Sequence, residues 1–410
     1  MATSNGHVPL PLEGIRVVDA THIVAGPFCS MLLGDAGAEV IKVERPGGER
    51  GRRTRPYITH ESGQWVSSRF LTVNRNKKSI TLELRHPRGK AIFEELVRIS
   101  DVVLDNWGPG AMKRLGLGYD RLSSINPSII YASITGYGDS DALRGPYSRW
   151  AANNPCAQAM AGWMEITGEP GGRPQMVGDN VGDSVPGVWT AYGILLALES
   201  RRKTGLGQHV DMAMYDCLVA HNTSTIPVYQ VTGQPPGRNR ENMVQAQLTL
   251  KAQDGYVVLA GAGDEEKWVA LWKLIGREEL VQDPRYLGRD GTGLFFMNEV
   301  RPALEEWTRD MSKWDLTQTL LDLGFSAAMV QNAEDMMNCP HLETRNMWAE
   351  FDHPIGGRFV VPANPVKLSG VGEMPVRRPP LLGEHDEEVL CGLLGLSGED
   401  FASIKAEGVV

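Results

Sequence analysis

The chain has 410 residues, of which 42% are hydrophobic and 22% charged, with a formal net charge of −9 at pH 7. This length accommodates two domains and a large core. The composition is ordinary for a soluble globular protein, and the acidic balance argues against a general nucleic-acid binder. Five scattered cysteines (Cys29, Cys156, Cys217, Cys339 and Cys391), with no CxxC or Cys/His spacing, read as reduced thiols of a cytoplasmic protein rather than as zinc ligands or a disulfide framework. Met1 to Leu12 lacks the apolar region of a signal peptide, and no uninterrupted apolar run is long enough to span a membrane, so neither export nor membrane insertion is expected.

In chain order, residues 15–20 read as a strand, 27–34 as a short helix and 39–44 as a second strand. Alternation and branched side chains make 79–84 another strand. Ile92, Leu96 and Ile99 give 87–99 the spacing of an amphipathic helix, and strands return at 101–105 and 128–134. Strands separated by helix-length segments imply parallel pairing through crossover helices, hence a Rossmann-like α/β domain. The loop-rich stretches 45–70 and 138–160 are long enough to carry function.

Residues 188–200 have helical spacing and end in Arg201-Arg202-Lys203-Thr204-Gly205, basic residues followed by a glycine stop. Asp183 stands at the start of this segment, where a helix N-terminus favours an ionised carboxylate. Taken alone it reads as a cap. Residues 208–212 read as a strand and Tyr215 opens a helix. Pro227, Gly233, Pro235, Pro236 and Gly237 mark a linker. A hairpin around Asp254-Gly255 and several helices follow, to about residue 325. The expected division is a large α/β domain of residues 1–225, joined by 330–410, and a smaller α+β domain of 226–329.

Gly136-Tyr137-Gly138 follows a strand but lacks the third glycine of a dinucleotide fingerprint, because position 141 is Asp. Neither an ATP-binding G-x-x-x-x-G-K-[ST] loop nor a G-x-S-x-G nucleophile elbow is present. The basic residues are more suggestive. Arg45, Asn106 and Trp107 fall just past strand ends, where open α/β sheets gather ligands, and Arg114 lies one turn into the helix after Trp107. Glycine-lined turns leading to helix N-termini suit phosphates, and Trp107 offers a stacking face for a base. His22 also lies just past a strand, where a lone histidine is more often a hydrogen-bonded structural residue than a catalyst.

These segments together resemble the class III coenzyme A transferases, the CaiB/BaiF family that includes formyl-CoA:oxalate CoA-transferase. The resemblance runs through Leu12-Glu13-Gly14-Ile15-Arg16-Val17-Val18-Asp19, Gly37-Ala38-Glu39-Val40-Ile41-Lys42-Val43-Glu44-Arg45, Asn76-Lys77-Lys78-Ser79-Ile80 and Asn106-Trp107-Gly108-Pro109-Gly110. It continues through Val181-Gly182-Asp183-Ser184, Arg202-Lys203-Thr204-Gly205-Leu206-Gly207-Gln208 and Leu382-Gly383-Glu384-His385. It implies that Asp183 is the catalytic aspartate and that Arg45, Lys77, Asn106, Trp107, Arg114 and Met214 contact CoA. His22, Ile23, Val24 and Tyr137 complete the candidate CoA-binding set. It also implies an interlocked homodimer and an acyl-CoA substrate, with no permanently bound cofactor. A carboxylate can attack a thioester and pass through a mixed anhydride to an enzyme–CoA thioester, preserving thioester energy without metal or ATP. Small residues around Asp183 would admit the thioester, and nearby backbone amides could stabilise the oxyanion.

The chain departs from the formyl-CoA:oxalate pattern. Val24 stands where some members carry glutamine, Thr135 where that enzyme type carries lysine, and Gly261-Ala262-Gly263 replaces a tetraglycine loop. The carboxylate pair therefore stays open, and so does transfer within one substrate. Family breadth and the arginine-rich segment 50–55 favour a small dicarboxylate such as succinate or mesaconate. The alternative is an α-methylacyl-CoA racemase, which needs an acid and a base on opposite faces of the α-carbon. No histidine lies between His86 and His209, where racemases of this fold place theirs, which weighs against that reading.

Overall fold

The computed structural model describes residues 8–238, 247–261, 264–288, 290–371 and 374–410. Ala262 and Gly263 of the expected glycine loop lie outside the described residues. The chain forms two compact units. One comprises the chain up to Ala161 with Gly178–His221 and Glu343–Val410, and the other Gly162–Val177 with Asn222–Leu342. The expected boundaries, 225 and 330, differ from these.

The first unit is built on six parallel strands: β1 (Arg16–Ala20), β2 (Glu39–Glu44), β5 (Lys77–Thr81), β6 (Val102–Asp105), β7 (Ile130–Thr135) and β8 (His209–Ala213). A short hairpin, β3 (Tyr57–Thr59) and β4 (Trp65–Ser67), lies between β2 and β5 in sequence. The sheet order is β5-β2-β1-β6-β7-β8. β6 and β7 are buried along their whole length, as parallel strands covered on both faces must be, and their sequences are correspondingly apolar and branched. The crossover helices are α1 (Ala25–Asp35), α2 (Ser68–Val73), α3 (Pro87–Arg98), α4 (Ala111–Arg114), α5 (Tyr119–Ile125), α6 (Asn154–Met160), α7 (Val181–Thr204) and α8 (Met214–Ala220). The apolar stripe of α3 (Ile92, Phe93, Leu96 and Val97) joins a core completed by Val389, Leu390, Ile404 and Val409 from the C-terminal segment. Residues 348–362 form an antiparallel pair, Trp348–His353 with Gly357–Pro362.

Three elements differ from expectation. β5 begins two residues early and stops at Thr81, whose amide donates to Asp386 Oδ1 at 2.7 Å, while Glu83 turns its amide to the Val409 carbonyl at 2.8 Å. The C-terminal segment thus covers this edge strand, which an uncovered sheet would expose to pairing. α7 starts at Val181, well before the apolar run, and is long and apolar enough by composition to cross a membrane. Its buried face, including Gly187, Ala191, Ile194 and Leu198, packs instead within the unit. A Cβ on Gly187 would lie 2.9 Å from the Ala25 carbonyl, so only glycine lets α1 and α7 approach this closely. Finally, part of the expected linker is a helix, α9 (Thr225–Thr232). Pro227 sits in its first turn, where the missing amide has no helical partner to lose, and Gly233 ends it at φ 68°.

The second unit carries an antiparallel sheet, β11 (Ser326–Met329), β10 (Gly255–Ala260) and β9 (Gln247–Ala252), in that order. Its core holds Trp268 and Trp272 on α10 (Glu265–Leu274), both fully buried. Their indole N–H groups donate to the carbonyls of Gly261 and Tyr286, each at 2.8 Å, so burial leaves no orphan donor.

Candidate active site

Chain direction across the sheet reverses between β1 and β6, because β2 and β5 follow β1 on one side and β7 and β8 follow β6 on the other. Ligands of open parallel sheets bind in the crevice at such a switch point, beyond the strands' carboxyl ends. Ala20 and Asp105 are paired there, and the loops after them are tied together. The His22 amide donates to Asn106 Oδ1 and Asn106 Nδ2 to the His22 carbonyl, both at 2.9 Å. A cavity of about 910 Å³ opens above this tie. It draws its walls from the loops after β1, β6 and β7, from the start of α8 and from Asp183.

Asp183 occupies the third residue of α7, whose N-cap is Asn180. Burial pushes its carboxyl up to about 6, against the opposing pull of Arg69. Among the described residues nothing hydrogen-bonds its carboxylate. The expectation for its neighbours needs correcting. A Cβ on Gly182 would lie 2.6 Å from Asn154, so this glycine seats α7 on α6 rather than admitting a ligand. The amides of Gly182, Asp183 and Ser184 are already bonded, the first to Asn154 Oδ1 at 2.8 Å and the others to the Asn180 carbonyl at 2.9 and 2.8 Å. They are not free to hold an oxyanion.

Of the candidate residues, His22, Ile23, Val24, Asn106, Trp107, Arg114 and Met214 line the cavity together with Asp183. Burial, with Lys42 and Arg50 nearby, pushes His22 down to about 4, so its ring is neutral at pH 7. Ile23 has φ 68°, a left-handed conformation costly for a branched residue, and its amide is held by Glu49 Oε2 at 3.2 Å. Val24 is the N-cap of α1 and supplies no side-chain hydrogen bond to its first turn. Trp107 is exposed, and Arg114 donates to the Pro109 carbonyl at 2.9 Å.

Three candidates lie outside the cavity walls. Lys77 is buried, and its ammonium donates to Asp19 Oδ2 at 3.0 Å and to the Pro27 carbonyl and Asn74 Oδ1, each at 2.9 Å. All three of its protons are committed, which leaves none for a ligand. Arg45 turns back to the Gly48 carbonyl at 2.9 Å. Tyr137 packs edge-on against Trp150 with ring centroids 6.1 Å apart, and Trp150 itself reaches the cavity.

The sequence reading missed several neighbours. Asn154 also donates to the Asp179 carbonyl at 3.2 Å and so binds the α7 entrance from both sides, and Asn153-Asn154-Pro155 carries a helix-start signature that points to it. Arg50 lines the cavity from within the noted arginine-rich segment. Arg69 and the buried Glu49, whose Oε1 has no hydrogen-bond partner, carry no local signal.

Comparison with known proteins matches residues 12–386 to the model of CoA-transferase family III. A succinyl-CoA:mesaconate CoA-transferase of Haloarcula marismortui is 37% identical over 385 residues, covering 92% of this chain and 95% of the relative. A formyl-CoA:oxalate CoA-transferase of Streptomyces coelicolor is 36% identical over 423 residues, covering 97% and 99%. The crystal structure of a CAIB/BAIF family protein from Brucella suis superposes with a TM-score of 0.83 at 33% identity, covering 94% of this chain and 100% of that one. The chain therefore belongs to the class III CoA-transferases, enzymes that move coenzyme A from an acyl thioester to a carboxylic acid.

Proposed function

We propose that this enzyme moves CoA between small dicarboxylic acids, with succinyl-CoA as donor and succinate or mesaconate among the acids, and that Asp183 is its nucleophile. The observation that carries the mechanism is an unpartnered carboxylate facing a large cavity beside residues suited to hold CoA. The names of the relatives support the dicarboxylate. In the first half-reaction the Asp183 carboxylate attacks the thioester carbonyl and CoA leaves as thiolate, giving a mixed anhydride. The thiolate then attacks the aspartyl carbonyl, freeing the donor acid and leaving CoA on Asp183. The acceptor carboxylate reverses the two steps. A carboxyl raised to about 6 is mostly ionised at neutral pH and more basic than an ordinary aspartate, which suits attack.

The first turn of α1, uncapped and lining the cavity through Val24 and Ala25, is suited to receive the oxyanion in place of the committed amides of α7. Trp107 stacks on the base, Arg114 meets phosphate, and Asn106 holds the His22 loop against the pantetheine arm, with Ile23 and Met214 as apolar walls. Lys77 supports α1 from below. The enzyme acts as an interlocked homodimer in the cytoplasm. Val188, Tyr192, Leu195 and Leu196 form an exposed apolar stripe along α7 of the kind a partner covers.

Racemisation fits less well, because His22 is held neutral near 4 and is the one histidine among the cavity's lining residues. The test is peptide mass spectrometry after incubation with succinyl-CoA and other acyl-CoAs, with hydroxylamine or borohydride trapping. An adduct at Asp183 that vanishes in Asp183→Ala is the expected result. No adduct with any donor, together with α-proton exchange into deuterated water, would favour the racemase.

A further inference from the structure

The first turns of α7 are poor helix by composition. Gly182 and Gly187 disfavour it, and Pro186 has no amide to give the Gly182 carbonyl four residues back. The chain also enters through Asp179 at φ 58°, a left-handed conformation uncommon for a residue with a side chain. Yet this stretch carries Asp183, so its hold has to come from outside the helix. Asn154, the first residue of α6, supplies it. Its Oδ1 accepts from the Gly182 amide, the residue just ahead of Asp183, at 2.8 Å, and its Nδ2 donates to the Asp179 carbonyl at 3.2 Å. One side-chain amide thus grips a donor and an acceptor at the entrance. The buried Gln158, one turn along α6, donates to the same Oδ1 at 2.8 Å, which fixes Oδ1 as the atom facing Gly182. A second contact lies further along α7, where Gly187 meets the Ala25 carbonyl of α1 so closely that a Cβ would stand 2.9 Å from it. Asp183 and Gly187 are four residues apart and share a face. Held against α6 at Gly182 and against α1 at Gly187, α7 cannot rotate about its axis, and Asp183 is turned to the cavity wall that Val24 and Ala25 share.

We propose that Asn154, braced by Gln158, is the positioning residue of the nucleophile: it ties the weak start of α7 to α6 and so holds the Asp183 carboxylate where a thioester carbonyl arrives. This rests on the transfer reading above and adds the group that aims the attack. Asn153 lines the cavity and Asn154 does not, so Asn154 acts through α7 and not on the substrate. Its effect therefore falls on the chemical step. Attack needs the reacting atoms about 3–3.5 Å apart, and a misplacement of about 1 Å costs roughly 100-fold in rate. CoA is held by the loops after β1 and β6, which Asn154 does not touch in this way, so its affinity should stay as it is.

The experiment times the loading of CoA onto Asp183 from saturating succinyl-CoA, by rapid quench and peptide mass spectrometry, and reads the Kd for free CoA by calorimetry. Rates are taken per folded molecule, by circular dichroism. Asn154→Ala is expected to slow loading by roughly 10- to 100-fold with the Kd for CoA little changed. Gln158→Met keeps both bonds from Asn154 to α7 and removes only the brace, so it should lose less. Pro186→Ala returns the missing helical amide, so adding it to Asn154→Ala should recover part of the rate, which a residue that merely supports the fold would not show. Where Asn154→Ala does not fold, the same comparison made with Gln158→Met decides. Loading at the wild-type rate, a loss matched by equal weakening of CoA binding, or a loss that Pro186→Ala leaves untouched would each overturn the assignment alone. No adduct at Asp183 of the wild type with any donor would sink the transfer reading and this inference with it.

Discussion

Asp19, at the end of β1, and Asp183, in the first turn of α7, show how differently one residue type can be used. Asp19 is fully buried and saturated. Lys77 and Ser30 donate to Oδ2 at 3.0 and 2.6 Å, and the Thr21 amide donates to Oδ1 at 2.9 Å beside its own hydroxyl. Burial would raise its pKa, but Lys42, Lys77 and the hydroxyls outweigh that and hold it well below the usual carboxylate range. Asp183 is buried without such partners, so burial wins and its carboxyl rises to about 6. A carboxylate that holds structure has its lone pairs filled by the protein. One that reacts must keep them open, at a cost in stability.

Exchanging the two residues' fates breaks or sharpens this contrast. The largest effect expected is on turnover: Asp183→Ala should lower transfer by roughly 10⁴-fold or more, as removal of a nucleophile does, with the fold intact by circular dichroism. Asp19→Asn should do the reverse, costing about 3 kcal/mol in urea unfolding because it strands the buried Lys77 ammonium. That cost should be full at neutral pH and shrink as pH falls through the depressed folded pKa, since a carboxylate stabilised in the fold stabilises only while ionised. Asp183→Asn should stabilise the protein by about 2 kcal/mol at pH 8. Here the folded pKa lies above the ordinary aspartate value of 3.8, so the wild type loses stability as pH rises through about 6, and the gain should vanish below pH 3.8. Transfer by the wild type should rise over the same window, as the proposed nucleophile ionises. The smallest effect is Trp107→Ala, which should raise KM for acyl-CoA about tenfold, the worth of one stacked base, with kcat little changed.

The same contrast marks how far the sequence could be read. Strand and helix order in the first unit follows from alternation and from runs such as Val102-Val103-Leu104, because local patterning reports burial. Sheet order does not, since pairing β1 with β6 brings together residues some 85 positions apart, as in the bond from the Arg16 amide to Asp101. Asp183 was legible as a carboxylate at a helix start. The sequence does not report that its neighbouring amides are taken while its own oxygens are bare. Lys77 looks like a ligand-binding lysine beside a strand. Its three acceptors come from Asp19, Pro27 and Asn74, on separate segments, and only folding brings them together.

The first unit's dependence on Val389, Leu390, Ile404 and Val409 also bears on how the protein is made. A ribosome delivers β1 to β8 long before these side chains emerge, with the whole of Asn222–Leu342 in between. The second unit's sheet and its Trp268–Trp272 core are complete by then and can settle during synthesis. The first unit must wait with an unfinished core and an uncovered β5 edge, so it is expected to be the more aggregation-prone of the two until translation is nearly over.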